Sequence, residues 1–200
     1  MMIDDNWVDL RLETARLILR TPIASDAPQL YHLARDKRVS ENLLNMPHPY
    51  ERHDADVWIE RCRERYQRGD GITLAIINKF EQRFIGSIGI YANYQHQRAE
   101  IGYWLGVDYW GRGFMPEAVE CILEYGFRVM RLNRIYATYF SGNEASRRVM
   151  EKVGMHYEGM QRQAVLKWGA YKDLGMYSIL HREWVERHLA HKPVNELHKD

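Results

Sequence analysis

At 200 residues, with 28 lysines and arginines against 27 aspartates and glutamates, the chain carries a formal charge of +1. That length suits one domain able to bury a core without metals or disulfides, and the balanced charge provides no global field for nucleic acid or an anionic membrane. Cys62 and Cys121 lack the close spacing of a zinc site and read as reduced core thiols, and no apolar run approaches the roughly 18 residues of a membrane span.

Residues 1–5 are acidic and carry no apolar signal region, so a cytoplasmic location is expected. Residues 16–21 alternate apolar and polar side chains up to Pro22 and read as a first strand, expected at a sheet edge. Ser25 or Asp26 can cap a helix with Leu30, Leu33 and Ala34 on one face. Pro47 and Pro49 mark residues 39–50 as an irregular loop, a segment type that often serves function. Residues 53–68 form a second amphipathic helix, with Ala55, Trp58, Ile59, Cys62 and Tyr66 on one face and a Glu64–Arg68 pair, ended by Gly69-Asp70-Gly71. Strands at 72–77, 83–91 and 98–107 follow, separated by short turns suited to an antiparallel meander.

The third of these strands runs into Tyr109-Trp110-Gly111-Arg112-Gly113-Phe114-Met115-Pro116-Glu117-Ala118, a strand end, a tight turn and a helix start. Two glycines one residue apart let backbone N–H groups converge on an anion, and Pro116 suits a first helical turn, whose N–H groups lack partners. Alone, the turn reads as a phosphate cradle or as an ordinary strand-to-helix turn. No Gly-Lys-Ser/Thr follows, and Pro116 stands where a dinucleotide fingerprint has its third glycine.

Beyond it, Val119, Ile122, Leu123, Phe127 and Met130 form a helical apolar stripe, with Glu117, Glu120, Glu124 and Arg128 facing solvent and Gly126 permitting close packing on a sheet. A fifth strand at 134–140 should run parallel to its predecessor, because a helix connects them. Asn143 opens a short helix with Ala145, Val149 and Val153 inward and Gly154 at its end. A hairpin at 156–166 and 171–180, a helix at 181–190 and a polar tail close the chain. Residues 1–190 thus read as one domain and 191–200 as the tail.

The glycine turn, the preceding Ala99-Glu100-Ile101-Gly102-Tyr103-Trp104-Leu105 strand, and Asn143-Glu144-Ala145-Ser146 with Gly154 occur together in order. In this combination the chain resembles the GNAT acetyltransferases, and within them the branch of ribosomal-protein N-terminal (alanine/serine) acetyltransferases. The resemblance spans residues 16–180. It implies an α/β fold with a mixed, twisted sheet of about seven strands flanked by helices and split between the fourth and fifth strands. It also implies acetyl-CoA as cosubstrate without a metal, transfer of the acetyl group to a primary amine such as a protein N-terminus, and a homodimer, for which no residue pattern in the chain speaks.

The same resemblance assigns the site. Gly111, Arg112, Gly113 and Phe114 hold the pyrophosphate through backbone N–H groups, and backbone around Leu105 and Val107 polarises the thioester oxygen. Asn143 contacts the cofactor, Ser146 serves the leaving sulfur and Glu100 acts as base. Many relatives carry a tyrosine where this chain has Met150, which has no proton to donate. Asp108 departs from the glutamine or arginine common there, and residues 160–168 lack the acidic residue found in some ribosomal-type relatives. Each assignment has a plainer counterpart: Glu100 as a hydrogen-bonded strand residue, Asn143 as an N-cap only, Ser146 as a small helix residue.

Other functions compete with that assignment. The acceptor could be a small-molecule or peptide-like toxin amine, or the domain could bind acyl-CoA without turnover. Tyr91, Tyr94, Trp104, Trp110 and Trp168 read as an acceptor cleft or as core. His188 and His191 share a helical spacing but have no third ligand, and the alternating charges of residues 61–65 describe a solvated helix rather than a nucleic-acid surface.

Overall fold

The computed structural model describes residues 10–69 and 71–190. The acidic start, Asp70, His191 and the polar tail named above lie outside the described residues. The elements are β1 (Arg11–Glu13), β2 (Leu17–Arg20), α1 (Ala27–Ala34), α2 (Lys37–Ser40), α3 (Arg52–Arg68), β3 (Ile72–Asn78), β4 (Arg83–Asn93), β5 (Arg98–Leu105), α4 (Phe114–Arg128), β6 (Arg134–Phe140), α5 (Glu144–Lys152), β7 (His156–Lys167), β8 (Ala170–Leu180) and α6 (His181–Ala190). They build one eight-stranded mixed sheet in the order β1-β2-β3-β4-β5-β6-β8-β7.

Eight strands replace the expected seven because Arg11–Glu13 pairs antiparallel with β2. This short segment takes the sheet edge, so the 16–21 strand is interior rather than marginal. Asp26 stands at the N-cap of α1 as expected, but its side chain does not cap that helix. Its carboxylate receives Arg20 Nη1 and Nη2 at 2.7 Å and the Ile23 N–H at 2.9 Å, a bidentate ion pair beside the bond that closes the preceding 3-10 turn.

The β5–α4–β6 unit is the expected crossover, and it places α4 against one face of the sheet. Gly126 makes this approach possible, since a Cβ there would lie 2.6 Å from Ile135 Cδ1 and 3.0 Å from Ile90 Cδ1. The opposite face carries α1 against β4 and α3 against β3. Because strand side chains alternate, Ile101 and Tyr103 point to the α4 face, while Glu100 and Trp104 point to the other.

Two helical expectations change on packing. Glu117 and Glu120 do not simply face solvent: Glu117 accepts from Arg16 Nε at 2.6 Å, and Glu120 accepts from Arg187 Nη2 at 2.6 Å. In α5, Ala145 is exposed, and Met150 is buried with Val153 instead. Thus the methionine found in place of the usual tyrosine belongs to the core.

Candidate active site

The site begins where two parallel strands stop pairing. β5 and β6 are in register only at Arg98–Arg134, Ala99–Ile135 and Glu100–Tyr136. Beyond this point β5 keeps its pairing to β4 through Leu105, and β6 keeps its pairing to β8 through Phe140. The two halves of the sheet therefore part at their carboxyl ends, the position where open α/β sheets form ligand crevices.

At the mouth of this split lies the glycine turn. Gly111 and Gly113 have φ of 71° and 76°, a region that costs other residues about 1–2 kcal/mol. Gly113 is the N-cap of α4 and offers no side-chain acceptor, so the first-turn N–H groups remain available to an external anion. No heavy atom lies within 4 Å of a Cβ built on Gly111. An open cradle of backbone donors at a helix N-terminus fits a pyrophosphate.

Arg16, absent from the expected site, braces that turn. Its Nη1 donates to the Arg112 carbonyl at 3.0 Å, its Nε reaches Glu117, and its guanidinium stands 4.6 Å from the Phe114 ring centroid. Thr14 Oγ1 and the Arg16 N–H also donate to Glu117. Arg112 stacks on Phe114 from 5.1 Å, whereas the Phe114 ring is buried, so Phe114 can offer a ligand only its backbone.

On the α4 side of the split, Tyr103 and Ser146 meet. Their hydroxyl oxygens are 3.1 Å apart, and Tyr103 Oη is also 3.3 Å from the Ser146 carbonyl oxygen. The Ser146 N–H donates to Asn143 Oδ1 at 3.1 Å, which makes Asn143 the N-cap of α5 as its sequence position implies.

On the opposite face, Glu100 accepts a 3.3 Å hydrogen bond from Thr138 Oγ1. Burial pushes its carboxyl above the ordinary value, opposed by hydrogen bonds from Thr138 and Tyr136. Tyr91, in register with Glu100, lies across Gly89 and Gly102, and the Arg65 guanidinium covers its ring at 4.8 Å. Tyr91 therefore forms the floor beside Glu100. Trp104 is half-buried and packs on Phe84 at the edge of the core, and Trp110 donates Nε1–H to the Leu105 carbonyl at 2.8 Å. Of the backbone groups between Leu105 and Val107, the Gly106 N–H is engaged by Ile85 O at 2.9 Å.

Lys167 joins two walls that the sequence does not connect. Its buried Nζ donates to the carbonyls of Leu43, Leu44 and Met46 at 2.6, 3.2 and 2.9 Å. Next to it, exposed Trp168 lies tilted against His48, with ring centroids 5.6 Å apart. The 39–50 loop is thereby tied to the β7–β8 hairpin. Among the described residues no group of three histidine, cysteine, aspartate or glutamate side chains is placed to hold a metal ion, and His188 packs on Trp184.

The GNAT acetyltransferase domain model matches residues 16–156, and the chain belongs to that family. The uncharacterized N-acetyltransferase YoaA of Bacillus subtilis is 36% identical over 172 residues, covering 84% of this chain and 96% of that protein. A GNAT-family acetyltransferase from Bacillus anthracis superposes with a TM-score of 0.77 at 25% identity, over 86% of this chain and 99% of the other. RimL, a ribosomal L7/L12 α-N-protein acetyltransferase solved with coenzyme A, shares the fold with a TM-score of 0.78 at 22% identity, over 86% and 98%.

Proposed function

We propose that the protein transfers an acetyl group from acetyl-CoA to a primary amine, with a protein N-terminal α-amine as the preferred acceptor. The observation that carries this reading is the parting of β5 from β6 beside an open glycine turn, with Glu100 on one face and Ser146 on the other. Bound acetyl-CoA would supply the activated acyl thioester. Gly111, Arg112, Gly113 and Phe114 hold its phosphates through backbone N–H groups, Asn143 orients it, and the Leu105–Val107 backbone faces the acyl oxygen. Ser146 donates a hydrogen bond to the departing sulfur.

Glu100 removes the acceptor's proton, directly or through a water. Magnitude favours an α-amine here. An amine of pKa about 7.8 needs roughly 1 kcal/mol to be neutral at pH 7, whereas a lysine amine near 10.4 needs more than about 4 kcal/mol. A single carboxylate suffices for the first.

One observation favours a second reading, a small or peptide-like amine. Residues 160–168 carry no acid, and Glu158 just before them is committed to Arg134 and Ser178. Thiol release from acetyl-CoA across an unbiased panel of α-amines, lysine peptides, polyamines and aminoacyl conjugates tests the proposal. Release with free α-amines supports it, release confined to small amines selects the second reading, and tight acetyl-CoA binding without release identifies a binding module.

A further inference from the structure

We propose that Tyr103 is a positioning residue that turns the Ser146 hydroxyl toward the sulfur of the cosubstrate, an inference that rests on the role given to Ser146 above. Tyr103 lies on β5 beyond the last residue paired with β6, and Ser146 lies on the helix that follows β6. Their contact therefore spans the split at a level where backbone pairing has ended. Asn143 fixes Ser146 by its backbone, and Tyr103 meets it at the side chain.

Two proton arrangements satisfy this geometry. In one, Ser146 donates to Tyr103 Oη while Tyr103 donates to the Ser146 carbonyl at 3.3 Å, so neither proton faces the cleft. In the other, Tyr103 donates to Ser146 Oγ, and the serine proton is free to face a ligand. A sulfur that accumulates negative charge selects the second arrangement, and each bond in the chain strengthens the next. Burial holds the Tyr103 phenol well above its ordinary value, despite a smaller opposing effect of the Ser146 bond, so it remains a donor through the neutral range. Tyr103 moves no proton to substrate in this role; it sets the direction of another residue's hydrogen bond.

The test is a binding measurement. The ratio of coenzyme A to desulfo-coenzyme A affinity, followed by calorimetry across pH on the full chain, gives the pKa of the bound thiol. Tyr103→Phe should raise that pKa by about half to one unit, a three- to tenfold loss of preference for the thiolate. Ser146→Ala should raise it at least as much, and the double variant no further than Ser146→Ala. Desulfo-coenzyme A should bind Tyr103→Phe as it binds wild type.

An unchanged thiol pKa in Tyr103→Phe overturns the proposal; if Ser146→Ala still shifts it, the role of Ser146 stands, and if not, both fall. Equal weakening of both ligands also overturns it, because Tyr103 then shapes the cleft rather than the hydroxyl. If Tyr103→Phe does not fold, a ring-fluorinated tyrosine at position 103 strengthens the donor without removing it. That substitution should lower the bound thiol pKa, and no change would overturn the proposal.

Discussion

The hydroxyl oxygens of Tyr103 and Ser146 lie 3.1 Å apart, joining β5 to α5 where β5 has separated from β6. If Ser146 serves the leaving sulfur, Ser146→Ala should slow thiol release by about tenfold or more, the worth of one hydrogen bond to a charged group, while acetyl-CoA affinity stays within about twofold. Tyr103 retains the Ser146 carbonyl as an acceptor, so the stability cost should stay below about 1.5 kcal/mol. A wild-type rate of release would return Ser146 to a purely structural role.

Replacing Gly111 with valine places a β-branched side chain at a φ of 71° and over the proposed phosphate path. Beyond its chain neighbours a Cβ there meets no atom within 4 Å, so the fold should survive with a backbone cost of about 1–3 kcal/mol. Acetyl-CoA affinity should drop at least about tenfold by calorimetry, equivalent to 1.4 kcal/mol. Unchanged affinity in a folded variant removes the turn from the site.

Arg16 reaches the turn through the Arg112 carbonyl and reaches α4 through Glu117. Arg16→Met keeps much of the stem and loses both bonds. It should weaken acetyl-CoA binding by roughly three- to tenfold, about 0.7–1.4 kcal/mol, with little effect on acceptor KM. Equal changes in both constants would show that Arg16 supports the whole fold and not the turn.

Glu100→Gln yields two expectations of opposite sign. Turnover should fall most between the pKa of Glu100 and that of the amine, where the carboxylate is ionised and the amine still charged. The deficit should shrink toward the amine pKa and also below the raised Glu100 pKa, where the wild type lacks its base as well. Stability should move the other way. Burial raises the folded-state pKa, so the native state holds the proton longer than the unfolded chain, and stability declines as pH rises through the interval from the unfolded to the folded value. The neutral glutamine removes that penalty, and Tm near pH 7 should increase. An unaltered pH–rate profile rules out Glu100 as base.

Lys167→Met preserves most of the buried stem but leaves the Leu43, Leu44 and Met46 carbonyls without their shared donor. The expected cost is about 2 kcal/mol, with faster amide exchange confined to the 39–50 loop. Acceptor KM should rise while acetyl-CoA affinity is retained, because the lost contacts are those that tie the loop to the β7–β8 hairpin. Uniform acceleration of exchange would contradict a local role.

The crossover, the meander and the closing hairpin are legible in the sequence because each depends on local periodicity and turn chemistry. Gly126 announces close packing because a glycine on an apolar helical stripe has few other uses, and the structure places Ile135 against it. The bracing contacts are different. Arg16 and Glu117, Tyr103 and Ser146, and Lys167 and the 39–50 loop join positions distant in the chain, and none of these residues breaks its local pattern. Asp26 shows the same limit: a serviceable helix cap by sequence, it turns to Arg20 once folding brings a bidentate donor beside it.

The most direct measurement is thiol release from acetyl-CoA with a matched pair of peptides, one with a free α-amine and its lysine blocked, the other with a blocked α-amine and its lysine free. The account predicts rapid release and a monoacetylated product with the first peptide and much slower release with the second. Release with the lysine peptide alone, or saturable acetyl-CoA binding with no release from either, would contradict it.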